Sequence, residues 1–253
     1  ASHEGRARTP PARLHPHPLP ESFSMSRSTL RPESLPGGRL ARAAQAAAAA
    51  APDTKPGKKT AAPAASKGSG EIRIIGGQWK RTRLAVAQRP GLRPTPDRVR
   101  ETLFNWLGQD LTGWHCLDAF AGTGALGLEA ASRGAAAVQL VENDPALVAQ
   151  LHKLQQRLAA TVVRVQRGDG VAAIKHAAPA SLHLVLVDPP FDSALFEPAL
   201  QAAAQAVAAD GYVYLEAPTA WTDEALAPFG LTVHRHLKAG AVHAHLLQRR
   251  PKD

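Results

Sequence analysis

The chain has 253 residues, of which 44% are hydrophobic and 20% charged, and its formal net charge is +9. Its single cysteine, Cys116, excludes an internal disulfide framework and is typical of a reducing, cytoplasmic compartment. No apolar run approaches the roughly 18 to 20 residues that a membrane helix needs, and no secretory apolar core is visible, so we expect no membrane partner.

The positive charge is concentrated towards the N-terminus. Residues 1–70 contain 11 Lys and Arg against 4 Asp and Glu, and residues 71–101 contain 8 against 3. A basic surface suits a polyanion such as nucleic acid, although solvated charge in a flexible tail has the same composition. We predict that residues 1–70, rich in Pro, Ala and Ser, form a disordered basic tail. We assign a function to the basic residues of 71–101.

Residues 71–110 are predicted to form a small N-terminal extension. Residues 72–75 and 79–86 have the pattern of two strands, separated by a glycine pair that favours a tight turn. A proline-rich connector follows, in which Thr95 is a candidate N-cap and the next residue, a proline, suits the first helical position. The helix after it should bury its apolar side chains and expose its arginines.

Residues 111–253 are predicted to form the main domain, because strand and helix patterns alternate along them. Strands are expected at 115–119, 137–142, 162–166, 182–187, 211–216, 231–236 and 242–248, and helices at 125–133, 145–158, 170–176 and 194–208. This alternation predicts βαβ units and an α/β fold, with a mostly parallel sheet covered by helices on both faces. A short loop joins the last two strands, so they should form an antiparallel terminal hairpin.

A glycine-rich turn follows the first strand of this domain. Gly122, Gly124 and Gly127 match the dinucleotide fingerprint, and Glu142 lies 20 residues after Gly122 at the end of the second strand. An NAD-dependent enzyme is therefore one alternative. Asp118 argues against it, because a carboxylate directly before the turn would repel a pyrophosphate at the helix N-terminus.

The acidic residues around this turn suit a cationic ligand. S-adenosylmethionine carries an ammonium and a sulfonium group and no phosphate. We predict that Asp118 attracts its amino-acid end, that Glu142 accepts hydrogen bonds from the ribose hydroxyls, and that Asp169 accepts one from the adenine amine. Phe120 and Asn143 complete the predicted cofactor site, which lies where open α/β sheets bind ligands. The alternative is that the glycines only form turns and the acids only cap helices.

A second motif, Asp188-Pro189-Pro190-Phe191, ends the fourth strand. The two prolines fix the backbone and lack amide donors, but their carbonyls remain acceptors. The carboxylate of Asp188 and the carbonyl of Pro189 could each accept one N–H of a nucleobase amine, which would orient its nitrogen towards the sulfonium methyl. Phe191 could stack on the base, which must be extruded to reach the pocket. A capped strand-to-loop turn is the structural alternative.

In combination, four segments of the chain resemble the bacterial 16S ribosomal RNA (guanine(966)-N(2))-methyltransferase family. They are Ile72–Trp79, Gly91–Leu107, Cys116–Ala130 and Val187–Phe191. The resemblance implies a Rossmann-like class I methyltransferase with a seven-stranded sheet, preceded by a small extension that helps to dock RNA. It also implies methyl transfer to guanine N2 of 16S rRNA, on assembled or assembling small ribosomal subunits.

The same resemblance makes the basic side chains of the extension candidates for RNA contact. They are Arg73, Lys80, Arg81, Arg83, Arg93, Arg98 and Arg100. The long N-terminal tail departs from the family pattern. We expect the protein to act as a monomer, with the ribosomal subunit as its partner.

Two other functions, and a possible metal site, remain as alternatives. A methyltransferase acting on DNA or on another RNA shares the aromatic residue after the two prolines, but usually carries a larger target-recognition region. A non-catalytic RNA-binding assembly factor would not need Asp118, Glu142 and Asp188. Histidines 234, 236, 243 and 245 could cluster across the last two strands, but no cysteine or carboxylate completes a metal site there, and we expect no metal.

Overall fold

The computed structural model of the chain describes residues 70–86 and 95–251. These residues belong to one unit that spans residues 61–253. The predicted tail, except for Gly70, and the predicted RNA contact Arg93 lie outside the described residues. The bounds of the three predicted segments therefore stay a prediction.

The extension contains the predicted hairpin and helix. Strand β1 (Gly70–Arg73) pairs with β2 (Arg83–Val86) in antiparallel register, and helix α1 spans Asp97–Trp106. The first strand lies two residues earlier than predicted and the second is shorter than predicted, because residues 74–82 fold into a turn. Backbone hydrogen bonds close this turn, with Ile74 N donating to Thr82 O at 2.9 Å and Arg81 N donating to Ile74 O at 2.8 Å.

The main domain is built on a seven-stranded sheet. Its strands are β3 (His115–Asp118), β4 (Ala137–Glu142), β5 (Val163–Arg167), β6 (Leu182–Val187), β7 (Val207–Ala217), β8 (Leu231–Ala239) and β9 (Val242–Arg249). The spatial order is β5-β4-β3-β6-β7-β9-β8, with β3 to β7 parallel and β9 antiparallel to both of its neighbours. The predicted fold class and terminal hairpin are confirmed. The chain order reverses between β3 and β6, which makes the carboxyl ends of these strands the expected ligand crevice.

Helices cover both faces of the sheet, as predicted. They are α2 (Ala125–Ser132), α3 (Pro145–Arg157), α4 (Gly170–His176), α5 (Phe196–Ala206) and α6 (Asp223–Leu226), the last followed by a 3₁₀ turn (Ala227–Phe229). The apolar side chains of α1, α2 and α3 and of the hairpin pack on one face, and those of α4 and α5 pack on the other. The helix expected at 194–208 ends at Ala206, and β7 begins at Val207 without a loop.

The start of α1 differs from the prediction. The N-cap is Pro96, with no side-chain hydrogen bond, so the assignment of Thr95 as the cap is wrong. The side chain of Thr95 instead bonds to the carboxylate of Glu216 in β7, and its carbonyl accepts a hydrogen bond from Arg100 Nε at 3.2 Å. The hydroxyl of Thr95 therefore contacts β7, and the helix begins after Pro96 without a side-chain cap.

A buried carboxylate fastens the extension to the main domain. Glu129 of α2 has no exposed surface and accepts hydrogen bonds from the backbone N–H groups of Ile75 at 2.8 Å and Gly76 at 2.7 Å. It also pairs with Arg100 at 3.3 Å and Arg133 at 2.8 Å. Breaking a buried pair of this kind typically costs about 3–5 kcal/mol, because the remaining charge has no partner.

Arg100 is therefore removed from the RNA-contact candidates. The sequence predicted an exposed side chain, but only 1% of it is accessible. Its guanidinium is held by Asp97, Glu129 and the carbonyl of Thr95. These bonds leave Arg100 to support the extension rather than to contact a phosphate.

Candidate active site

A cavity of about 1230 Å³ opens at the carboxyl ends of the parallel strands. Every predicted cofactor and catalytic residue lines it except Gly124. Gly124 has φ +80°, and a Cβ there would lie 2.6 Å from the side chain of Leu151, so this glycine permits the turn and the close packing of α3. The structure thus brings the two sequence motifs into one site.

The cavity is lined by acidic side chains. Seven carboxylate residues line it: Asp118, Glu142, Asp144, Asp169, Asp188, Asp192 and Glu216. Among the described residues that line it there is no Lys, Arg or His. This set of acidic side chains suits the ammonium and sulfonium groups of S-adenosylmethionine. It opposes a pyrophosphate, which disfavours the NAD-dependent alternative.

Asp118 lies at the end of β3, beneath the glycine turn. Its Oδ2 accepts a hydrogen bond from Gly127 N at 3.0 Å, and only 2% of the residue is exposed. Burial raises the pKa of Asp118 to about 7; backbone hydrogen bonds from Gly127 and Phe120 oppose this shift, and the charges of Glu142 and Glu216 add to it. A cationic ligand would favour the ionised carboxylate and offset the cost of burial.

Glu142 and Asp169 also fix the local backbone. Both oxygens of Glu142 accept hydrogen bonds, Oε2 from Gly122 N at 2.9 Å and Oε1 from Asn143 N at 2.8 Å. Asp169 caps α4 by accepting from Ala172 N at 2.7 Å. The capping role considered as an alternative is therefore present. It is compatible with ligand binding, because a carboxylate has about four acceptor positions.

The tetrapeptide from Asp188 to Phe191 forms the other side of the cavity. Burial, followed by the charges of Glu216 and Asp118, raises the pKa of Asp188 well above its ordinary value. Phe191 has 39% of its surface accessible. Among the described residues, it is the one large hydrophobic side chain that is exposed. An exposed aromatic ring beside a polar cavity is suited to stacking on a planar base.

Glu216 is a cavity residue that the sequence analysis missed. β6 and β7 are parallel, with Val187 opposite Leu215, so Glu216 lies in the position next to Asp188. It is 4% exposed, and its Oε1 accepts a hydrogen bond from the hydroxyl of Tyr214 at 2.8 Å. The available signal was an acid near the end of an apolar strand, the same signal that identified Asp118.

The RNA candidates in the extension have different environments. Arg73 is half exposed and pairs with Asp97 at 2.8 Å. Lys80, Arg81 and Arg98 are exposed. Their contact with RNA stays a prediction.

The histidines of the terminal hairpin stack on one another. The rings of His236 and His243 lie 5.2 Å apart, with His236 Nε2 3.0 Å from His243 Nδ1. His245 is buried and accepts a hydrogen bond from Trp221 N at 3.0 Å. Across residues 70–86 and 95–251, no group of three or more His, Cys, Asp or Glu side chains is arranged to hold a metal ion. Nor is any helix in those ranges sufficiently long and apolar to cross a membrane.

The strand order and the acid-lined glycine turn define a class I methyltransferase fold. Known structures agree. An Escherichia coli protein named provisionally as a methyltransferase matches with a TM-score of 0.63 and 41% identity, over 72% of this chain and 100% of its own. A Haemophilus influenzae protein named provisionally as a methylase matches with a TM-score of 0.59 and 32% identity, over 72% and 100%. Enzymes of this fold use S-adenosylmethionine, which confirms the predicted cofactor.

Sequence comparison identifies the family. Residues 72–248 match the family model described as conserved hypothetical protein 95. The Escherichia coli K12 protein named ribosomal RNA small subunit methyltransferase D is 42% identical over 184 residues, which cover 72% of this chain and 92% of that protein. The chain therefore belongs to this methyltransferase family, and the resemblance found in the sequence is confirmed.

Proposed function

We propose that this protein transfers a methyl group from S-adenosylmethionine to the exocyclic N2 amine of a guanine in 16S rRNA. The observation that carries the proposal is the Asp188–Phe191 tetrapeptide on the wall of a cavity that seven carboxylates line. A relative with 42% identity is named as a small-subunit rRNA methyltransferase, which favours ribosomal RNA over DNA as the substrate.

Some cavity residues bind the methyl donor, and others orient the acceptor base. S-adenosylmethionine supplies a methyl group activated by the positive sulfur to which it is bonded. Asp118 compensates the positive charge of the amino-acid end, while Glu142 and Asp169 accept hydrogen bonds from the ribose and the adenine. Bound in this way, S-adenosylmethionine would present its methyl group to the tetrapeptide, which begins with Asp188 directly after β6.

The acceptor amine is oriented by two acceptors of the tetrapeptide. One N–H donates to the carboxylate of Asp188 and the other to the carbonyl of Pro189, while Phe191 stacks on the ring. The nitrogen forms the new bond to the methyl carbon as the carbon–sulfur bond breaks, and the bonding electrons stay on sulfur. Asp188 then accepts the proton that the nitrogen loses, which suits a carboxylate whose pKa burial has raised.

We further propose that the extension of residues 71–110 docks the RNA and that residues 111–253 perform the transfer. Lys80, Arg81 and Arg98 provide exposed positive charge on the extension. The substrate is an assembled or assembling small subunit in the cytoplasm, and the protein acts as a monomer. A non-catalytic assembly factor would have no use for the acid-lined cavity.

The test measures transfer of a labelled methyl group to small ribosomal subunits that lack the modification. Asp188→Asn should lower kcat by at least about 100-fold, because it removes the charge and the proton acceptor. Donor binding, measured by calorimetry, should persist. Asp192→Asn is the matched control, since Asp192 lines the same cavity but is exposed. Near-normal turnover by Asp188→Asn would remove the role assigned to this carboxylate, and methylation of another base would overturn the proposed substrate.

A further inference from the structure

A second carboxylate stands beside the proposed acceptor site. Glu216 follows Leu215 in β7, and Leu215 lies opposite Val187, the residue before Asp188. Both carboxylates line the cavity, and Glu216 is 4% exposed. The proposed transfer to an amine uses Asp188 and the Pro189 carbonyl, and it leaves Glu216 without a role.

Two donors hold the Glu216 carboxylate in one orientation. The hydroxyl of Tyr214 donates to Oε1 at 2.8 Å, and the side chain of Thr95 provides a second hydrogen bond. Burial beside Glu216 raises the pKa of Tyr214 well above its ordinary value, so its hydroxyl keeps the proton that it donates. A carboxylate has about four acceptor positions, so two bonds leave capacity for a ligand N–H in the cavity.

The strand order separates a donor side of the cavity from an acceptor side. Across the sheet β6 lies between β3 and β7, so Asp118, Asp188 and Glu216 lie at the carboxyl ends of strands that are neighbours in space. The predicted cofactor acids all lie at the carboxyl ends of β3, β4 and β5. Glu216 therefore lies on the far side of Asp188 from the methyl donor, where the remainder of an acceptor base would extend.

Guanine presents the chemistry that this pair of acids can bind. Its Watson–Crick edge carries N–H donors on two adjacent nitrogens, the N2 amine and N1. On adenine the ring nitrogen next to the exocyclic amine carries a lone pair and no hydrogen. We propose that Glu216 is a specificity-determining residue that accepts the N1–H of the target guanine, while Asp188 accepts an N2 hydrogen. This inference rests on the proposed function of the same site.

The arrangement would also reject other amines. In a base with a lone pair at N1, that lone pair would face the buried carboxylate of Glu216. Both groups are acceptors, so neither would have a donor. Leaving a buried polar group unsatisfied costs about 1–3 kcal/mol, and more for a charged group. Discrimination of roughly 100-fold in kcat/KM is the expected scale.

The experiment varies the base and the enzyme together. Small subunits are assembled on 16S rRNA in which the target guanine is replaced by 2-aminopurine, which keeps the 2-amine but has an unprotonated N1. The wild-type enzyme should prefer guanine by roughly 100-fold in kcat/KM. Glu216→Gln should lower the preference for guanine over 2-aminopurine to about tenfold or less in kcat/KM, because the amide can donate to the unprotonated N1.

Two controls and a second test variant make the result specific. Subunits that carry 6-thioguanine, which keeps N1–H but alters position 6, should give the same kcat/KM behaviour as guanine with the wild-type enzyme and with Glu216→Gln. Glu224→Gln changes an exposed acid of α6 and should leave the base preference unchanged. Thr95→Val, which removes one donor to Glu216 with little change in volume, should shift the preference in the direction of Glu216→Gln. It provides the test if the glutamine variant does not fold.

The outcomes separate this inference from the proposed function. If the wild-type enzyme methylates neither guanine nor 2-aminopurine, the proposed function fails. If it methylates guanine while Glu216→Gln and Thr95→Val lower both substrates equally, the residue is only structural and the inference is overturned. A lower ratio of kcat/KM for guanine to kcat/KM for 2-aminopurine in the variants, with unchanged affinity for S-adenosylmethionine, supports the inference.

Discussion

At the scale of single residues, burial changes the titration of Asp118. The carboxyl pKa rises from 3.8 to about 7 when the chain folds. Folding therefore favours the protonated form of this group. Its contribution to stability is fully present below about pH 4 and is lost as the pH rises towards 7. In the ligand-free protein Asp118 is therefore only partly ionised at neutral pH, and a bound cation would favour its ionised form.

This titration predicts a pH dependence of donor binding. Binding a cation favours ionised Asp118, so the affinity for S-adenosylmethionine should rise between pH 5.5 and 7 and level off above about 7. The limit for one proton is about tenfold per pH unit. The raised pKa values of Asp188 and Glu216 act in the same direction. Calorimetry at pH 6 in two buffers of different ionisation enthalpy should show proton release.

The control for this prediction is Asp118→Asn. Wherever its binding is measurable, the variant should release fewer protons and show a flatter pH profile. Binding with no proton release at pH 6 by the unaltered protein would contradict the assignment of a cation-compensating role to Asp118.

Sequence patterns identified the residues whose role depends on position along a strand. Asp118, Glu142 and Asp169 were predicted because each acid follows an apolar strand, and parallel strands present their carboxyl ends together. Arg100 was misassigned because its partner Glu129 is 29 positions away in the chain, and a buried pair of this kind has no periodicity. Glu216 was missed because its importance arises from the pairing of β6 with β7.

At the scale of elements, hydrophobic periodicity predicted the main domain closely. The strand expected at 182–187 has those bounds in the structure, and the helix expected at 145–158 spans Pro145–Arg157. The extension was predicted less well, because its conformation depends on contact with α2. The turn after β1 is held by Glu129 and Ser132, which local sequence cannot reveal.

Gly77 is the point of closest approach between the hairpin turn and α2. Its φ is +74°, and a Cβ there would lie 1.8 Å from the carbonyl oxygen of Ser132. The same carbonyl accepts a hydrogen bond from Gln78 N at 2.7 Å, so the backbone cannot easily move away. The position therefore combines an unfavourable dihedral for other residues with a steric limit.

Gly77→Ala should destabilise the protein more than Gly108→Ala. Gly108 has φ +85° but nothing within 4 Å of its Cβ position, so its substitution measures the dihedral cost alone, about 1 kcal/mol. Gly77→Ala should cost about 1–3 kcal/mol more, as overpacking does. Chemical denaturation of both variants measures the difference. Equal losses would show that the turn can shift away from α2 without cost.

At the scale of the whole molecule, buried polar contacts join the extension to the active site. Glu129 binds the turn and Arg100, Arg100 binds the carbonyl of Thr95, and the side chain of Thr95 binds Glu216. The extension and the main domain also share one apolar core, which includes Ile72, Ile74 and the residues of α2. These contacts indicate that the two parts fold together.

Deletion of residues 1–68 should leave both the fold and donor binding intact. The apolar core includes Ile72, and the hairpin starts at Gly70, so the deletion removes none of the described contacts. The unfolding temperature and the calorimetric affinity for S-adenosylmethionine should match those of the full chain. Deletion of residues 1–76 is the contrasting variant. It removes Ile72, Ile74 and the amides bound by Glu129, and it should lower the unfolding temperature by several degrees. A large loss of thermal stability in the shorter deletion would contradict this boundary.

The acid-lined cavity has a consequence for turnover. Methyl transfer removes the positive charge from sulfur, so the spent donor, S-adenosylhomocysteine, leaves the reaction with one charge fewer than it brought. The ionised carboxylates among the acidic side chains of the cavity attract the charged form more strongly than the neutral thioether. The electrostatic attraction between the cavity and the bound molecule therefore weakens when the product forms. This change favours the release of S-adenosylhomocysteine.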